Sequence, residues 1–511
     1  MATPQQQLSS SIAALSASIA GLAPGLHPAS ELVTPTTSIA ALRALTGAMF
    51  PTVLVRNYDG ASTGETQGVY VLDADDSTSP DNDGTIIVAA DGGRYKLQID
   101  GGVSLKRFGA KGDGSTDDTR AVLNWIAFVF ATGITGYAPA GTYKVTQPVA
   151  MDWGPVATTG ATFVGDGAAQ SVFDLSSVTT SPAWLMTDTT GSDACFYGTF
   201  KDIGFIGDVP GPLLQIGNED YSDAFNEFEI KVQVKNNNTT ESACGTELNG
   251  LYNCSAFLVS NCHGHGDALR IRQTQFSHIF GSSGNADTAI HLTGGYSYGN
   301  TFISHDCEVV NTCVVIDEQN VSQNTWIGGQ FVWSNGSGPA VAAINATNGN
   351  NNRFVGINLA SPGSWTAAGG AVGVLLDNRG VGNYLFGQVT VKPVSGDGDL
   401  IVDSVTGNIA QLLFRNNGNS AWGWTRDTSG NLLLIRYNPS TGASIDTPIV
   451  IEPSQGVSTF KKASLSGVGF FGAGVSTTRP TVSGAKGGNA ALASLIQQLA
   501  ALGLIADSTT A

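Results

Sequence analysis

Four acidic side chains in the middle of the chain have the type and spacing that paired-carboxylate chemistry requires. Asp267 and Asp287 each stand just ahead of a short apolar strand motif, and Asp306 and Glu308 lie two residues apart in ISHDCEVV. Two carboxyl groups ~5–10 Å apart can act as proton donor and as base or nucleophile. The competing interpretation is that such acids only cap exposed turns. Which of these two interpretations holds depends on the secondary-structure elements that position the acids.

A repeated unit surrounds these acids. A short apolar strand motif recurs as ALRI from Ala268, AIHL from Ala289, VVI from Val314, VAAI from Val341 and VLL from Val374. An Asn followed closely by an aromatic residue comes after each of the last four copies. These asparagines are Asn300, Asn324, Asn352 and Asn383, which precede Phe302, Trp326, Phe354 and Tyr384.

The period of this unit predicts a parallel β-helix. It increases from about twenty to about thirty residues, and a unit of that size cannot bury its own apolar face, so units must stack. Stacked Asn residues at a bend can form a side-chain amide ladder. A β-sandwich is the main alternative, but sandwiches do not repeat one motif in register. Because rungs stack ~4.8 Å apart, acids at equivalent places on neighbouring rungs approach the separations given above.

A single amphipathic helix precedes the repeats. GAKGDGSTDDTRAVLNWIAFVFATG, from Gly109 to Gly133, predicts a tight turn and a helix over 117–132. Ser115, Thr116 or Asp117 can cap this helix, and Gly133 can end it. A lone apolar helix before a solenoid is suited to cover its open end. We therefore interpret the acidic pair Asp117–Asp118 as architecture and not as catalytic.

Composition and charge exclude several functions. Charged residues make up 13% of the chain, about half the usual ~25%. The formal net charge of −17 argues against nucleic-acid binding, because binders usually carry a basic patch. No signal peptide and no apolar run of ~18 residues is visible, so we expect no membrane insertion.

Heptad seams at both ends predict self-association. Leucine and isoleucine are spaced four and three residues apart at Leu8, Ile12, Leu15, Ile19 and Leu22. The Ile/Leu choice favours a dimer in parallel coiled coils; packing on the helix's own domain is the alternative. Near the other end, Leu492, Leu495, Leu499 and Leu502 repeat the spacing, with Asn489 as a cap and Gly503 as a stop.

Two smaller regions complete the chain. TVLVRNY, GVYVLD, GTIIVAA and RYKLQI predict a small β-rich module before the helix, and Trp422 to Phe460 predicts an antiparallel module. The loop DADDSTSPDNDG does not have the EF-hand spacing, so a solvated acidic loop is favoured over a calcium site, and we predict no metal site and no cofactor. The six cysteines lack a CxxC pair and are expected to be buried free thiols, with a zinc site or disulfides as the alternatives.

Several of these segments resemble bacteriophage proteins. VSLKRFGAKGDGSTDDTRAVLNW is very similar to the opening of the pectate-lyase-like β-helix domains of phage tailspikes and tail fibres. The segment from SIAALRALTG to GGRYKL resembles the connector module of tailspikes. GNLLLIRYN with TPIVIEPSQGVSTF resembles a β-module near the ends of such fibres, and RPTVSGAKGGNAALASLIQQLAALGLIADSTTA resembles a C-terminal trimerisation segment. The middle, about 150 to 410, matches by architecture only.

The resemblance implies an all-β fold built on a right-handed parallel β-helix with short helical segments at both ends. It implies a homotrimer, overriding the dimer hint. The expected domains are a tail-attachment segment (1–25), a connector (26–103), the β-helix (104–410), an antiparallel module (411–466) and a trimerisation segment (467–511). The expected partners are the phage tail or baseplate and a bacterial surface polysaccharide. The protein is expected in the virion tail, assembled in the host cytoplasm and acting at the cell surface.

The resemblance also assigns a chemistry to the candidate residues. Phage tailspikes of this kind bind, and often cleave, capsular polysaccharide, O-antigen or exopolysaccharide, usually by glycoside hydrolysis with two carboxylates. Asp267, Asp287, Asp306 and Glu308 are the catalytic candidates. Exposed aromatics can stack on sugar rings, so the substrate-binding candidates are Tyr296, Tyr298, His305, Trp326 and Trp333, although Trp326 equally fits the rung core.

Three alternatives stay open at this point. The first is a non-enzymatic tail fibre of the same fold. The second is a lyase, with His305 or His291 as base and Arg270 or Arg272 neutralising a uronate. The third is a bacterial polysaccharide lyase unrelated to virions, which the two terminal seams disfavour.

Overall fold

The computed structural model describes residues 34–46, 50–60, 66–189, 195–217, 225–332, 342–346, 348–359, 374–378, 384–386, 410–416, 419–438, 440–441, 443–451, 458–459, 481–501 and 504–510. The N-terminal seam, Trp333, Asn383, Leu502 and Gly503 lie outside these residues. The described part of the chain contains no helix with the length and apolarity needed to cross a membrane.

A small β-sheet module with one short helix comes first. Its elements are β1 (Thr34–Thr36), α1 (Ile39–Arg43), β2 (Thr52–Val55), β3 (Gly68–Asp73), β4 (Ile86–Val88) and β5 (Arg94–Leu97). The sheet order is β1-β2-β3-β5-β4, antiparallel except for the β1–β2 pair. The acidic loop is only partly solvated: Arg43 binds Asp81 and Asp83 at 2.7 and 2.6 Å, whereas Asp75 is exposed.

A parallel β-solenoid follows, as the repeat predicts. Its strands are β6 (Val103–Ser104), β7 (Asp113–Asp117), β8 (Gly136–Ala138), β9 (Gly141–Lys144), β10 (Val149–Asp152), β11 (Thr162–Gly165), β12 (Ser171–Leu175), β13 (Trp184–Thr187), β14 (Cys195–Phe196), β15 (Thr199–Gly207), β16 (Pro212–Ile216), β17 (Phe225–Asn226), β18 (Glu229–Asn236), β19 (Cys244–Asn249), β20 (Leu251–Tyr252), β21 (Ser255–Asn261), β22 (Asp267–Arg272), β23 (His278–Leu292), β24 (Thr301–Ile303), β25 (Asp306–Ile316), β26 (Thr325–Ile327), β27 (Gln330–Val332), β28 (Ala342–Ala346), β29 (Arg353–Val355), β30 (Asn358–Leu359), β31 (Val374–Asn378) and β32 (Tyr384–Phe386).

The predicted repeat sets the register of the rungs. Leu269 pairs with Ile290, Ile290 with Val314 and Val314 with Ile344, all in parallel strands. The predicted Asn ladder is present, since Asn300 Nδ2 donates to Asn324 Oδ1 at 2.9 Å. Asn324 Nδ2 donates in turn to the Oδ1 atom of the next rung's Asn352 at 3.0 Å. The six cysteines are buried free thiols.

The helix α2 (Thr119–Thr132) covers the first rungs. Trp125 packs edge-on against Phe163 with ring centroids 5.0 Å apart, and its Nε1 donates to the Val103 carbonyl at 3.0 Å. Gly133 ends the helix in the left-handed region, as predicted. The helix begins at Thr119 and not at Asp117, because the Asp118 carboxylate accepts hydrogen bonds from the Lys111 and Gly112 amides and so holds the preceding turn.

The C-terminal unit is separate and contains a sheet and a helix. β33 (Ala410–Asn416), β34 (Asn419–Arg426), β35 (Leu432–Tyr437), β36 (Ser444–Ile451) and β37 (Ser458–Thr459) form the predicted antiparallel sheet. The parallel strands β38 (Thr481–Ala485) and β39 (Ala506–Thr510) flank α3 (Ala490–Ala501). Asn489 Oδ1 caps α3 by accepting from the Ala491 and Leu492 amides.

Candidate functional site

Two outward surfaces of the solenoid carry the predicted catalytic acids. The first is a column of ionisable residues on β19, β22 and the end of β23, where Glu247 pairs with Arg270 and Arg270 with His291 in the strand register. Alternation along a strand places inward apolar residues between them, so every second side chain points outward. We call Glu247, Asp267, Arg270, Arg272, His291 and Asp317 the charged cluster.

The charged cluster is closely paired. Asp267 Oδ2 accepts from Arg270 Nε at 2.7 Å and contacts His291 Nδ1 at 3.0 Å. On the opposite side of the ring, His291 Nε2 contacts Asp317 Oδ2 at 2.9 Å. Glu247 accepts from Arg270 Nη1 at 3.2 Å and is only 3% exposed. Three carboxylates therefore balance two guanidinium groups and one imidazole.

The protonation of His291 follows from this pairing. Burial lowers the pKa of the imidazole, but hydrogen bonds to Asp267 and Asp317 outweigh it and raise the pKa of His291 to about 9. Burial also raises the pKa of the Asp317 carboxyl, but the charged His291 holds it below its usual value. Both ring nitrogens are engaged, so His291 is not a free base at neutral pH.

The second surface lies on β21, the start of β23, β24 and the start of β25. Its outward side chains include an apolar column in which Phe257 pairs with Phe280 and Ile303 with Ile327. A groove of about 390 Å³ runs over Phe257, Phe280 and Ile303 and reaches Asp306. Phe257 is 44% exposed. We call this surface, together with Asp306 and Glu308, the groove face.

The two acids of the groove face are held differently from those of the charged cluster. Asp306 and Glu308 alternate with the buried Cys307, so both carboxylates point outward from β25. Asp306 Oδ1 accepts one hydrogen bond, from the Gln330 amide at 2.9 Å. Glu308 is exposed, and the residue after it, Val309, is held at φ +55°. A β-branched residue in the left-handed region is a strained backbone position, of the kind found beside functional sites.

The structure separates Asp267 from Asp287, which the sequence placed on equivalent positions. Asp287 lies at the corner before the charged cluster, where its Oδ2 accepts from the Gly266 amide at 3.0 Å and its Oδ1 from Asn311 Nδ2 at 2.6 Å. His265 Nδ1 lies 3.9 Å from its Oδ2. The two acids therefore take part in different networks.

Two of the predicted sugar-binding residues are wrong. Trp326 is 1% exposed and stacks in the core between Phe302 and Phe354, each with ring centroids 4.5 Å away. His305 is also buried, with Nε2 2.9 Å from Ser283 Oγ, and burial lowers the pKa of His305 to about 4. Trp326 points inward because it is the buried middle residue of β26, and His305 is enclosed in the turn between β24 and β25.

The remaining aromatic candidates lie at a corner beside the groove face. Tyr296 is 60% exposed, and Tyr298 packs edge-on against Phe276 with centroids 5.0 Å apart. Tyr252 extends the same row, 5.5 Å from Phe276. Trp333 lies outside the described residues. Sequence reasoning missed Glu247 and Phe257; the repeat, extended two rungs towards the N-terminus, provides the signal that would have found them.

Two family descriptions match the sequence. Residues 35–100 match the phage tail protein small four-stranded β-sheet domain, and residues 102–339 match the pectate-lyase-like family of rhamnogalacturonase A and epimerase. The β-sheet module therefore matches a phage-tail domain, and most of the β-solenoid matches a pectate-lyase-like family. This confirms the expected identification with phage tailspikes and tail fibres. No protein with a curated description matches the sequence.

Solved structures with a similar course of the chain include phage tailspikes. Tailspike protein 2 of bacteriophage CBA120 is 14% identical, with a TM-score of 0.40, over 82% of this chain and 72% of that one. Tailspike protein 4 of the same phage is 14% identical, with a TM-score of 0.41, over 83% and 67%. The gp49 tailspike of Acinetobacter baumannii bacteriophage Fri1, described as a capsular polysaccharide depolymerase, is 12% identical, with a TM-score of 0.37, over 81% and 91%.

Proposed function

We propose that this chain is a phage tailspike that binds a bacterial surface polysaccharide, such as capsule, O-antigen or exopolysaccharide, and depolymerises it on the groove face. The observation that carries the proposal is that Asp306 lies at the end of an exposed apolar groove, with Glu308 facing outward two residues further along the same strand. Flat apolar side chains such as Phe257 suit the C–H faces of sugar rings. In this proposal a glycan that binds along the groove brings a glycosidic bond to the two carboxylates.

The spacing of the two acids favours an inverting hydrolysis. The Cα atoms of residues two apart on a strand are ~6–7 Å apart, and carboxylates on side chains that leave the strand on the same side can span the ~6.5–9.5 Å that leaves room for the attacking water. The Gln330 amide holds the Asp306 carboxylate in place at 2.9 Å, and we assign Asp306 as the base that activates water. We assign Glu308 as the proton donor to the leaving oxygen.

The charged cluster supports neither a lyase mechanism based on His291 nor a hydrolysis that uses Asp267. A lyase needs a free base beside a cation, whereas both nitrogens of His291 are bound to carboxylates. Asp267 is likewise occupied by Arg270 and His291. We therefore assign the cluster to the stability of the rungs, and we remove Asp267 and Asp287 from the catalytic pair.

The assembly part of the proposal is a homotrimer attached to the phage tail through its N-terminal region. The match of residues 35–100 to a phage-tail domain supports the attachment. The C-terminal helix supports the self-association, because Leu492 and Leu495 of its predicted seam are exposed in the single chain. A seam of exposed leucines needs a partner helix.

The test is an assay of the assembled protein on purified host capsule or lipopolysaccharide. We expect the wild type to release oligosaccharides, and D306N and E308Q to lose activity by roughly 10²–10⁴-fold while still binding the glycan. E318Q is the matched control, since Glu318 is an exposed acid outside the groove. Undiminished activity in both variants removes this pair from consideration. Wild-type binding without products identifies a non-enzymatic fibre, and products with unsaturated ends identify a lyase.

A further inference from the structure

One corner of the solenoid gathers metal-ligating side chains from successive rungs. Glu241 precedes β19, His265 precedes β22, and Asp287 lies in β23 just before the residue that pairs with the start of β22. Ligand atoms of these three residues all lie within 4.8 Å of one another. His265 Nδ1 is 3.8 Å from Glu241 Oε1 and 3.9 Å from Asp287 Oδ2. The corner is next to the charged cluster but shares none of its residues.

Two polar atoms at this corner are buried without a hydrogen-bond partner. One is His265 Nδ1, whose nearest acceptors are too distant for a hydrogen bond. The other is Oδ1 of Asn311, a residue only 9% exposed, whose Nδ2 donates to Asp287 Oδ1. Leaving such atoms unpaired costs ~1–3 kcal/mol each, so buried polar groups are normally satisfied. A cation that accepts lone pairs from both His265 Nδ1 and Asn311 Oδ1 would satisfy the two atoms together.

The separations of His265 Nδ1 from the two carboxylates, 3.8 and 3.9 Å, are those that a cation between the side chains produces. An imidazole nitrogen and carboxylate oxygens bound to one ion at ~2.0–2.2 Å lie roughly 3.5–4 Å apart, too far for hydrogen bonding to each other. Asn311 Nδ2 donates to Asp287 Oδ1 and the Gly266 amide donates to Oδ2. These hydrogen bonds fix the orientation of the carboxylate, as hydrogen bonds commonly do for side chains that bind metals. The chain's net charge of −17 also favours cation binding.

We propose that this corner binds a divalent transition-metal ion, Zn²⁺ or Mn²⁺, through His265 Nδ1 and the carboxylates of Glu241 and Asp287, with Asn311 Oδ1 as a fourth ligand. The imidazole selects these ions over Ca²⁺, which takes oxygen ligands. Because the ligands come from consecutive rungs, the ion ties the rungs together at a corner. We assign the site a structural role: it shares no residue with the groove face, and the proposed hydrolysis does not depend on it.

The test is calorimetric titration of the untagged, chelator-washed protein with ZnCl₂, MnCl₂ and CaCl₂ in separate experiments, together with thermal unfolding in each ion. We expect one Zn²⁺ or Mn²⁺ per chain and a higher unfolding temperature when it is bound. H265N should weaken binding by roughly tenfold or more. H263N is the matched control, because His263 is an exposed histidine two residues away in the same loop.

Three results overturn the proposal. They are the absence of saturable Zn²⁺ or Mn²⁺ binding, an equal loss of binding in H263N and H265N, or binding of Ca²⁺ alone. Thermal unfolding of H265N in chelator shows whether the variant has lost only a metal ligand or its fold as well. D287N is the second ligand variant. If H265N and D287N both unfold at the wild-type temperature in chelator yet bind the ion as the wild type does, the assigned ligands are wrong.

Discussion

The charged cluster and the groove face lie on neighbouring strands of the same rungs, yet their carboxylates have opposite surroundings. In the charged cluster, Asp267 is 7% exposed and contacts both a guanidinium and an imidazole. On the groove face, Asp306 has one backbone donor and Glu308 is exposed. Carboxylates that are already paired with cations stabilise the fold, whereas unpaired ones remain available to a ligand. Pairing, more than proximity, therefore distinguishes the two surfaces.

The largest effect is expected from breaking the charged cluster. H291A removes the imidazole that lies between Asp267 and Asp317, so both carboxylates lose a charged partner, and Asp267 is buried. We expect the free energy of unfolding to fall by about 3–5 kcal/mol. Denaturant unfolding measures it. H278A is the matched control, because His278 is exposed, and should change stability by less than about 0.5 kcal/mol. Equal losses in the two variants would show that the cluster is not specifically stabilising.

The same cluster predicts a dependence of stability on pH. The pKa of His291 is about 9 in the folded chain, above its ordinary value of 6.5. Its stabilisation is therefore fully present below about pH 6.5 and is lost as the pH rises through 9. Unfolding temperatures measured from pH 6 to 10 should fall over this interval, and the fall should be shallower in H291A. Parallel curves for the two proteins would contradict the assignment.

On the groove face, a change should affect binding and not stability. F257A removes the exposed aromatic ring from the groove and should weaken glycan binding by about 1 kcal/mol, or roughly fivefold. L123A is the matched control, since Leu123 is an exposed apolar residue on α2. Glycan titration measures the affinity. A smaller oligomer in F257A, seen by light scattering, would instead identify this surface as a subunit interface.

An effect of similar size is expected at the strained residue beside Glu308. Val309 has φ +55°, and Asn285 occupies the equivalent position of the preceding rung with φ +46°. Asn tolerates this region better than a β-branched residue, so V309N should stabilise the chain by about 1 kcal/mol. V309T keeps the branch and should gain nothing. If V309N is also less active on the glycan, the strain serves the groove face; a loss of stability in V309N would contradict the interpretation.

The solenoid itself could be predicted from the sequence because its signals are local. Apolar strands repeated at twenty to thirty residues must stack, and the Asn residues at a fixed offset then meet in a ladder. The cap helix is equally local, since its apolar face and the stop at Gly133 are continuous in the chain. The docking of Asp81 and Asp83 on Arg43 was not predicted, because their partner is about forty residues away.

The candidate site was only partly predictable. Sequence determined that Asp267, Asp306 and Glu308 stand on rungs, and that Trp326 occupies the aromatic position of its rung. Tertiary structure decided that Trp326 and His305 face the core. It also decided that Asp267 binds Arg270 and His291, and that Asp306 borders an open groove. The reason is geometric. In a solenoid each outward side chain meets residues one rung away, so its neighbours are set by register across twenty to thirty residues and not by the local sequence.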